Sequence, residues 1–139
     1  MKRNLQFKKV LKINADSALK AVSNFSKYED FVPGCTGASL ISRNPPIEIG
    51  RLEFNILGKK YFIESRNEIL ENSINIEQLK GPFDNFNGKW AVKKIDKDFC
   101  EVCFHAQFEL PFLLNAITPQ SLVESFSSNI IESFIKQAQ

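Results

Sequence analysis

The sequence predicts an α+β domain in which a curved antiparallel sheet of roughly six to seven strands wraps around a long C-terminal helix. From about residue 35 to residue 110, apolar and polar residues alternate with a period of two, and turn-forming pairs interrupt the alternation at short intervals. Residues 119–138 instead carry an apolar stripe at helical spacing. A length of 139 residues fits one domain covering residues 1–139.

The start of the chain predicts one strand followed by short helices. The apolar face of the strand carries Leu5, Phe7, Leu11 and Ile13. Lys9 interrupts this face and predicts a β-bulge. Asn14 is a suitable N-cap for an amphipathic helix over residues 15–25. Residues 26–31 add a helical turn, which ends before Pro33 because proline does not continue a helix.

Turn-forming residues divide the middle of the chain into strands. The predicted turns lie at Asn44-Pro45-Pro46, Gly58-Lys59, Asn72-Ser73 and Asp96-Lys97-Asp98. The last strand is the most regular, and its apolar face carries Cys100, Val102, Phe104, Ala106, Phe108 and Leu110. Such alternation is typical of a sheet with one packed face and one wet face.

The closing helix is predicted to lie against this sheet. Thr118-Pro119 marks its start, because proline at the first helical position loses no helical hydrogen bond. The helix would be roughly 30 Å long at about 1.5 Å per residue, and its stripe contains Leu122, Phe126, Ile130 and Phe134. Residues 112–117 predict a shorter helical piece. One helix does not fill a strongly curved sheet, so we expect an apolar hollow between the two.

The aromatic content is consistent with such a hollow. The chain has 13 Phe against one Trp and two Tyr, which fits either a large core or the walls of an apolar ligand site. Candidate wall residues are Phe54, Ile63, Ile76, Trp90, Phe104 and Phe108 on the sheet, with Phe126 and Ile130 on the closing helix. For each of them, an ordinary place in the core is the alternative.

A turn-rich stretch precedes the tryptophan. Gly81-Pro82 and Asn87-Gly88 predict turns that bracket a loop containing Phe83 and Phe86. In one interpretation the two rings plug one end of the core. In the other they line the mouth of the hollow, the loop acts as a gate, and the ligand enters beside Trp90.

Two blocks of the sequence resemble the RatA and coenzyme Q-binding family of START-like proteins. The first is Gly81-Pro82-Phe83-Asp84-Asn85-Phe86-Asn87-Gly88-Lys89-Trp90, and the second is Tyr28-Glu29-Asp30-Phe31-Val32-Pro33-Gly34-Cys35-Thr36-Gly37. Gly34 is similar to the bacterial RatA branch. Weaker similarities include Ser65-Arg66-Asn67, Phe108-Glu109-Leu110 and the helix near Phe134. The resemblance implies the START-like helix-grip fold, whose hollow holds lipids, sterols, polyketides or quinones.

The resemblance also implies function. It favours a non-enzymatic carrier or chaperone for ubiquinone, or for another polyprenyl quinone or lipid, that supports respiration and requires no cofactor. The alternative is a RatA-type toxin that associates with the large ribosomal subunit and blocks subunit joining. An oligoketide cyclase-like enzyme comes third, because the sequence shows no paired acid and base.

Few residues are suited to catalysis or metal binding. The single histidine, His105, falls on the polar face of its strand. Cys100 and Cys103 are three residues apart on a strand and so point to opposite faces, which disfavours a disulfide or a shared metal. We therefore predict no catalytic residues and no metal site. Reduced cysteines without an export signal predict a cytoplasmic protein.

Charge indicates which partners to expect. A net charge of +2 gives no indication of DNA binding. Basic residues cluster at Lys2, Arg3, Lys8, Lys9 and Lys12, with Lys59-Lys60 and Lys93-Lys94 elsewhere. This is either a solubilising surface or a positive edge for phospholipid headgroups at the inner membrane or for ribosomal RNA. Arg66 is expected on the surface; if buried, it would instead hold a ligand carbonyl or headgroup.

Overall fold

One antiparallel sheet, in the order β1-β7-β6-β5-β4-β3-β2, organises the chain. The computed structural model describes residues 2–56 and 58–138, without the side chains of Phe25, Ile56, Phe126 and Ala138. Within these ranges the seven strands are β1 (Lys2–Leu11), β2 (Cys35–Asn44), β3 (Ile47–Ile56), β4 (Lys59–Ile69), β5 (Ser73–Lys80), β6 (Asn85–Lys94) and β7 (Cys100–Glu109). The predicted α+β architecture is confirmed.

The helices also lie where the sequence predicts them. They are α1 (Ala15–Ser23), a 3-10 turn (Phe25–Lys27), α2 (Tyr28–Phe31), α3 (Phe112–Ile117) and α4 (Gln120–Ala138). The Asn14 side chain caps α1 by accepting a hydrogen bond from the Ser17 N–H at 2.8 Å. After α2, Gly34 adopts a φ of 79°, a left-handed conformation that glycine takes without strain, and the chain turns into β2.

The irregular positions of the sheet differ from the prediction. β1 pairs with β7 without a break from Lys2 to Leu11, so the predicted bulge at Lys9 is wrong. Lys9 keeps its place opposite Val102, and its side chain stays exposed. The register shifts instead lie between Cys35 and Gly37, between Leu40 and Ser42, and between Glu64 and Ser65. Register shifts of this kind bend a sheet. All three lie in the half of the sheet formed by β2 to β5.

β6 begins at Asn85, within the stretch predicted as a loop between Gly81-Pro82 and Asn87-Gly88. Asn87-Gly88 therefore lies within a strand, and the turn predicted there is wrong. A Cβ atom at Gly88 would lie 3.3 Å from Phe86 Cε1 and 3.4 Å from Phe104 Cζ. The glycine thus provides room for two aromatic rings rather than a turn.

An aromatic cluster joins α4 to α2 and to the sheet. The Phe134 ring of α4 lies 4.9 Å from Tyr28, 5.2 Å from Phe31 and 5.2 Å from Trp90, measured between ring centroids. Two further α4 residues, Ile131 and Ile135, are buried with it. The C-terminal half of α4 is therefore fixed where β1 and β6 end; we call this the closed end of the sheet.

The N-terminal half of α4 is much less covered. Leu122, predicted as part of the buried stripe, is 58% exposed, and Val123 is half-buried. The Phe126 side chain lies outside the described residues. This half of α4 belongs to the opposite end of the sheet, where β1 begins and β7 ends; we call it the mouth end.

We expect Gly88→Val to lower the free energy of unfolding by about 1–3 kcal/mol, because its side chain would overpack the Phe86 and Phe104 rings. Lys89→Val is the matched control, since Lys89 is exposed and should change stability by less than about 0.5 kcal/mol. Urea unfolding of both variants measures the difference. Equal stability of the two would contradict the close packing at Gly88.

Candidate functional site

The predicted wall residues share the face of the sheet that lies towards the helices. Trp90 contacts Phe134 of α4, and this fixes which side of β6 faces inwards. The register of the strands then places the others on the same, concave face. Trp90 and Phe108 are buried there, whereas Phe54, Ile63, Ile76, Phe86, Phe104 and, from α4, Ile130 are only half-buried.

We call the space expected between the sheet and α4 the hollow. Of its predicted walls, Phe54, Ile76, Phe104 and Ile130 pack against the buried core cluster, and Ile63 is half-buried. Between the sheet residues, Gly50 of β3 lies opposite Ser65 of β4, so two of the smallest residues meet in the middle of the face, and both are buried.

Trp90 does not lie at the entrance, so that prediction is wrong. Its side chain is 4% exposed, and its ring lies 4.6 Å from Phe104 and 5.2 Å from Phe134 between centroids. Because Phe134 is buried in the core cluster and Phe104 packs against it, the indole is a core residue at the closed end.

The loop predicted as a gate is shorter than expected and is held in place. It spans residues 81–84, because the following residues join β6. The Gln78 side chain accepts a hydrogen bond from the Phe83 N–H at 3.3 Å and donates one to the Phe83 carbonyl at 2.9 Å. A Cβ atom at Gly81 would lie 2.9 Å from Gln78 Cδ, so this clasp requires glycine.

The Phe83 ring packs against other aromatic rings, as expected if Phe83 and Phe86 plug one end of the core. Its centroid lies 5.2 Å from that of Phe86 and 5.4 Å from that of Phe108. The Asp84 N–H donates to the Glu109 carbonyl at 2.9 Å, which ties the loop to the end of β7. Both observations favour a fixed rim at the mouth end over a moving gate.

Ser65 and Asn67 belong to one of the weaker family similarities, but their place on the concave face was not predicted. Both are buried, and the Ser65 hydroxyl donates to Asn67 Oδ1 at 2.9 Å. The sequence drew attention to Arg66 between them, which is exposed on the convex face as predicted. The alternation of β4 could have predicted this inward position, because Ser65 and Asn67 share one face of the strand with Ile63 and Ile69.

Arg3 was predicted as part of the basic cluster but holds the α3–α4 connection instead. Its Nε donates to Asn115 Oδ1 at 2.9 Å, and its Nη2 donates to the Asn115 carbonyl at 3.0 Å and to the Thr118 carbonyl. Gln120 Nε2 donates to the Asn4 carbonyl at 3.1 Å. These bonds attach α3 and the start of α4 to β1 at the mouth end.

The mouth end exposes an apolar surface. Phe112, Leu113 and Ile117 of α3 are 83%, 77% and 76% exposed, and Leu122 lies one turn into α4. Residues 110–123 contain no charged side chain. Lys2 of β1 is exposed beside this surface. None of the helices in the described residues is long and apolar enough to cross a membrane.

The residues considered above for catalysis or metal binding are His105, Cys100 and Cys103. His105 is exposed there, as its strand position predicted. Cys100 is buried on the concave side, and Cys103 is half-buried on the convex side, so the two thiols point to opposite faces. Burial raises the pKa of Cys35, Cys100 and Cys103, which keeps the thiols protonated. Over residues 2–56 and 58–138, no cluster of His, Cys, Asp or Glu is arranged to hold a metal.

Comparison with known proteins agrees with this architecture. Residues 11–135 match the family described as polyketide cyclase/dehydrase and lipid transport. The ribosome association toxin RatA of Escherichia coli K12 is 24% identical over 127 residues, which cover 91% of this chain and 80% of that protein. The predicted resemblance to RatA is confirmed.

Solved structures show the same fold. The Zhui aromatase/cyclase from Streptomyces sp. R1128 superposes with a TM-score of 0.86 at 16% identity, covering 99% of this chain and 94% of that chain. A START superfamily protein from Mycobacterium smegmatis gives a TM-score of 0.77 at 17% identity, with coverage of 97% and 92%. At these identities the likeness establishes the START-like fold alone.

Proposed function

Because the chain belongs to the polyketide cyclase/dehydrase and lipid transport family, we propose that it binds an apolar small molecule in the hollow. Ubiquinone, or another polyprenyl quinone or lipid, is the ligand we favour, and the protein acts as its carrier or chaperone in respiration. The observation that carries this proposal is the set of half-buried apolar side chains that share the concave face of the sheet.

Apolar burial supplies the driving force. Each 100 Å² of ligand surface removed from water contributes about 2.5 kcal/mol before the cost of immobilising the ligand. An isoprenoid chain has no polar group to desolvate, so it suits walls made of Phe54, Ile63 and Ile76. The fixed rim at Phe83 leaves the side beneath the N-terminal half of α4 as the route into the hollow.

A binding role is favoured over catalysis by the groups that face the hollow. His105 lies on the convex face, away from it. Among the described residues of the concave face, Glu48 is paired with Arg43 at 3.2 Å, and Ser65 and Asn67 do not titrate near neutral pH. Acid–base chemistry of the kind that a cyclase needs would require a free titratable pair at the substrate.

We expect Ile63→Trp to fill the hollow and displace the ligand with little change in melting temperature, because Ile63 is only half-buried. Native mass spectrometry of freshly purified protein, together with organic extraction, measures the bound molecule. The matched control is Ile49→Trp, since Ile49 is equally half-buried but faces the convex side. Retention of the ligand by Ile63→Trp would contradict the hollow as its site.

The exposed apolar surface of α3 supports loading at a membrane. Phe112, Leu113 and Ile117 are exposed at the end of the sheet where Lys2 is also exposed, and this combination fits an anionic bilayer surface. The surface adjoins the uncovered half of α4, so contact with lipid would bring the hollow close to its ligand. Peripheral contact of this kind needs no spanning helix.

We expect Leu113→Glu with Ile117→Glu to abolish co-sedimentation with vesicles containing anionic phosphatidylglycerol, because two charges would replace two apolar contacts. Ile95→Glu is the control, since Ile95 is 53% exposed but lies at the closed end. Pure phosphatidylcholine vesicles should bind less protein than anionic ones. Unchanged sedimentation of the double variant would remove α3 from the contact.

Ribosome association is the second candidate, and the similarity to RatA over 91% of the chain favours it. Association would use the outside of the protein, so it is compatible with a ligand inside. The convex face and its edges present the exposed lysines Lys8, Lys12, Lys89, Lys93 and Lys94 for contact with RNA phosphates.

Co-sedimentation with purified large ribosomal subunits tests this candidate. We expect binding to fall steeply as salt rises, and Lys8→Ala with Lys93→Ala to weaken it, because fewer counterions are released. Lys136→Ala on α4 is the control for loss of one exposed charge away from this face. Absence of binding at low salt would exclude the ribosomal role and leave the carrier role standing.

A further inference from the structure

A pocket of about 570 Å³ lies at the mouth end, between the start of β1 and the α3–α4 connection. β1 contributes Lys2, Arg3 and Asn4 to its lining, and the connection contributes residues 115–120. None of these residues is a predicted wall residue of the hollow, so the pocket is a separate site. Its lining carries the positive charges of Lys2 and Arg3 and no acidic side chain.

Arg3 is a cation without a counter-charge among the described residues. A guanidinium group has five N–H donors, and the three bonds that Arg3 makes go to uncharged oxygens of Asn115 and Thr118. The unused N–H groups belong to Nη1, which is sealed from water and has no hydrogen-bond partner in the described chain. An unpaired donor on a buried charged group is costly, so Arg3 favours an anion in this pocket.

The carboxylate that the strand register brings to this end of β1 does not neutralise Arg3. Glu109 of β7 pairs with Lys2, and both residues lie on the convex face. Arg3 lies on the concave face, as its bonds to the α3–α4 connection show. Lys2 is exposed and has no ion pair among the described residues. Both cations therefore remain available to a ligand.

The backbone around the pocket adds to the positive potential. β1 is an edge strand of the sheet, and such a strand presents backbone N–H groups that have no strand partner. α4 begins beside the pocket at Gln120, with no acidic residue in its first turn. The positive end of its dipole therefore has the same sign as the two side chains. All of these groups attract an anion.

The apolar surface of α3 indicates the source of that anion. Ile117 borders the pocket and is 76% exposed, and Phe112 and Leu113 are 83% and 77% exposed on the same helix. A free phosphate compound or an RNA backbone would leave these side chains in water. A phospholipid in a bilayer presents its phosphate at the surface and its acyl chains directly below, which matches a positive pocket beside an apolar helix.

We propose that this pocket binds the phosphate group of an anionic phospholipid head group, with Arg3 as the contact residue and Lys2 as the second cation. Arginine suits phosphate because its rigid N–H groups match the oxygens of the anion. The inference rests on the peripheral membrane contact proposed above and does not depend on what the hollow binds. It adds recognition of an individual lipid to attraction by the surface charge.

Co-sedimentation of the full chain with vesicles of phosphatidylcholine, with or without phosphatidylglycerol, tests this site. We expect Arg3→Gln to weaken binding to the mixed vesicles at least about tenfold, because a charge-assisted hydrogen bond is lost. Binding to pure phosphatidylcholine, whose choline ammonium meets like charge at the pocket, should stay weak and unchanged. Lys9→Gln is the matched control, since it removes one exposed charge near the other end of β1. It should change binding less than about twofold.

Arg3 also ties the α3–α4 connection to β1, so further measurements separate recognition from folding. Lys2→Gln removes a side chain without a bond in the described chain, and it should weaken binding to mixed vesicles about fivefold at an unchanged melting temperature. The NMR signal of the Arg3 Nε–H group reports contact directly. Short-chain phosphatidylglycerol should shift this signal. Glycerol phosphate and inorganic phosphate should need concentrations at least about tenfold higher, because they lack chains that cover α3.

The outcomes distinguish this inference from the membrane contact on which it rests. Equal loss of binding to both kinds of vesicle in Arg3→Gln would overturn the inference, because Arg3 would then act only in holding α3. Equal affinity for the lipid and the free phosphates would overturn it in favour of a soluble anion. Weaker binding of Arg3→Gln to large ribosomal subunits, with vesicle binding intact, would overturn it in favour of RNA.

The double variant of α3, Leu113→Glu with Ile117→Glu, completes the comparison. Vesicle binding that this double variant abolishes, but that Arg3→Gln and Lys2→Gln leave intact, would overturn the head-group site and keep the membrane contact. Absence of any binding of the wild-type protein to mixed vesicles would overturn the membrane contact itself. Neither result bears on the ligand of the hollow, which native mass spectrometry measures separately.

Discussion

The packing of Phe134 against three other aromatic rings is the contact on which the rest of the structure depends. It joins α4 to α2 through Tyr28 and Phe31 and to the sheet through Trp90. Aromatic pairs of this kind contribute about 0.5–1.5 kcal/mol each beyond their buried area. All of these contacts lie at the closed end, so the helix is fixed at its C-terminal half.

Fixing a rigid helix at one end of a curved sheet has a geometric consequence. The register shifts, which bend a sheet, lie on the side of β2 to β5. Phe54, Ile63 and Ile76 consequently remain half-buried on a face that would otherwise be core. The same arrangement brings the exposed apolar residues of α3 to the mouth end, so the hollow and the surface proposed to contact a membrane adjoin one another.

The sequence-based predictions that are wrong concern residues whose type suits more than one structural role. Gly88 resembles a turn residue in sequence, yet it makes room for Phe86 and Phe104 within a strand. Lys9 breaks an alternating pattern, yet it stays in register because an edge strand lets its side chain reach water. Trp90 follows a predicted loop but lies in the core, because β6 begins earlier and carries it inwards.

The sequence by itself determined the strands, the helices and the inward side of each, because these follow from local periodicity and from caps such as Asn14. It also placed the proposed wall residues on one face of the sheet and His105 on the other. Only the tertiary structure decided which of those residues are half-exposed, that Ser65 and Asn67 meet inside, and that Arg3 holds α3. These features depend on strand register, on sheet curvature and on contacts between residues more than a hundred positions apart. Local sequence patterns contain no information on any of the three.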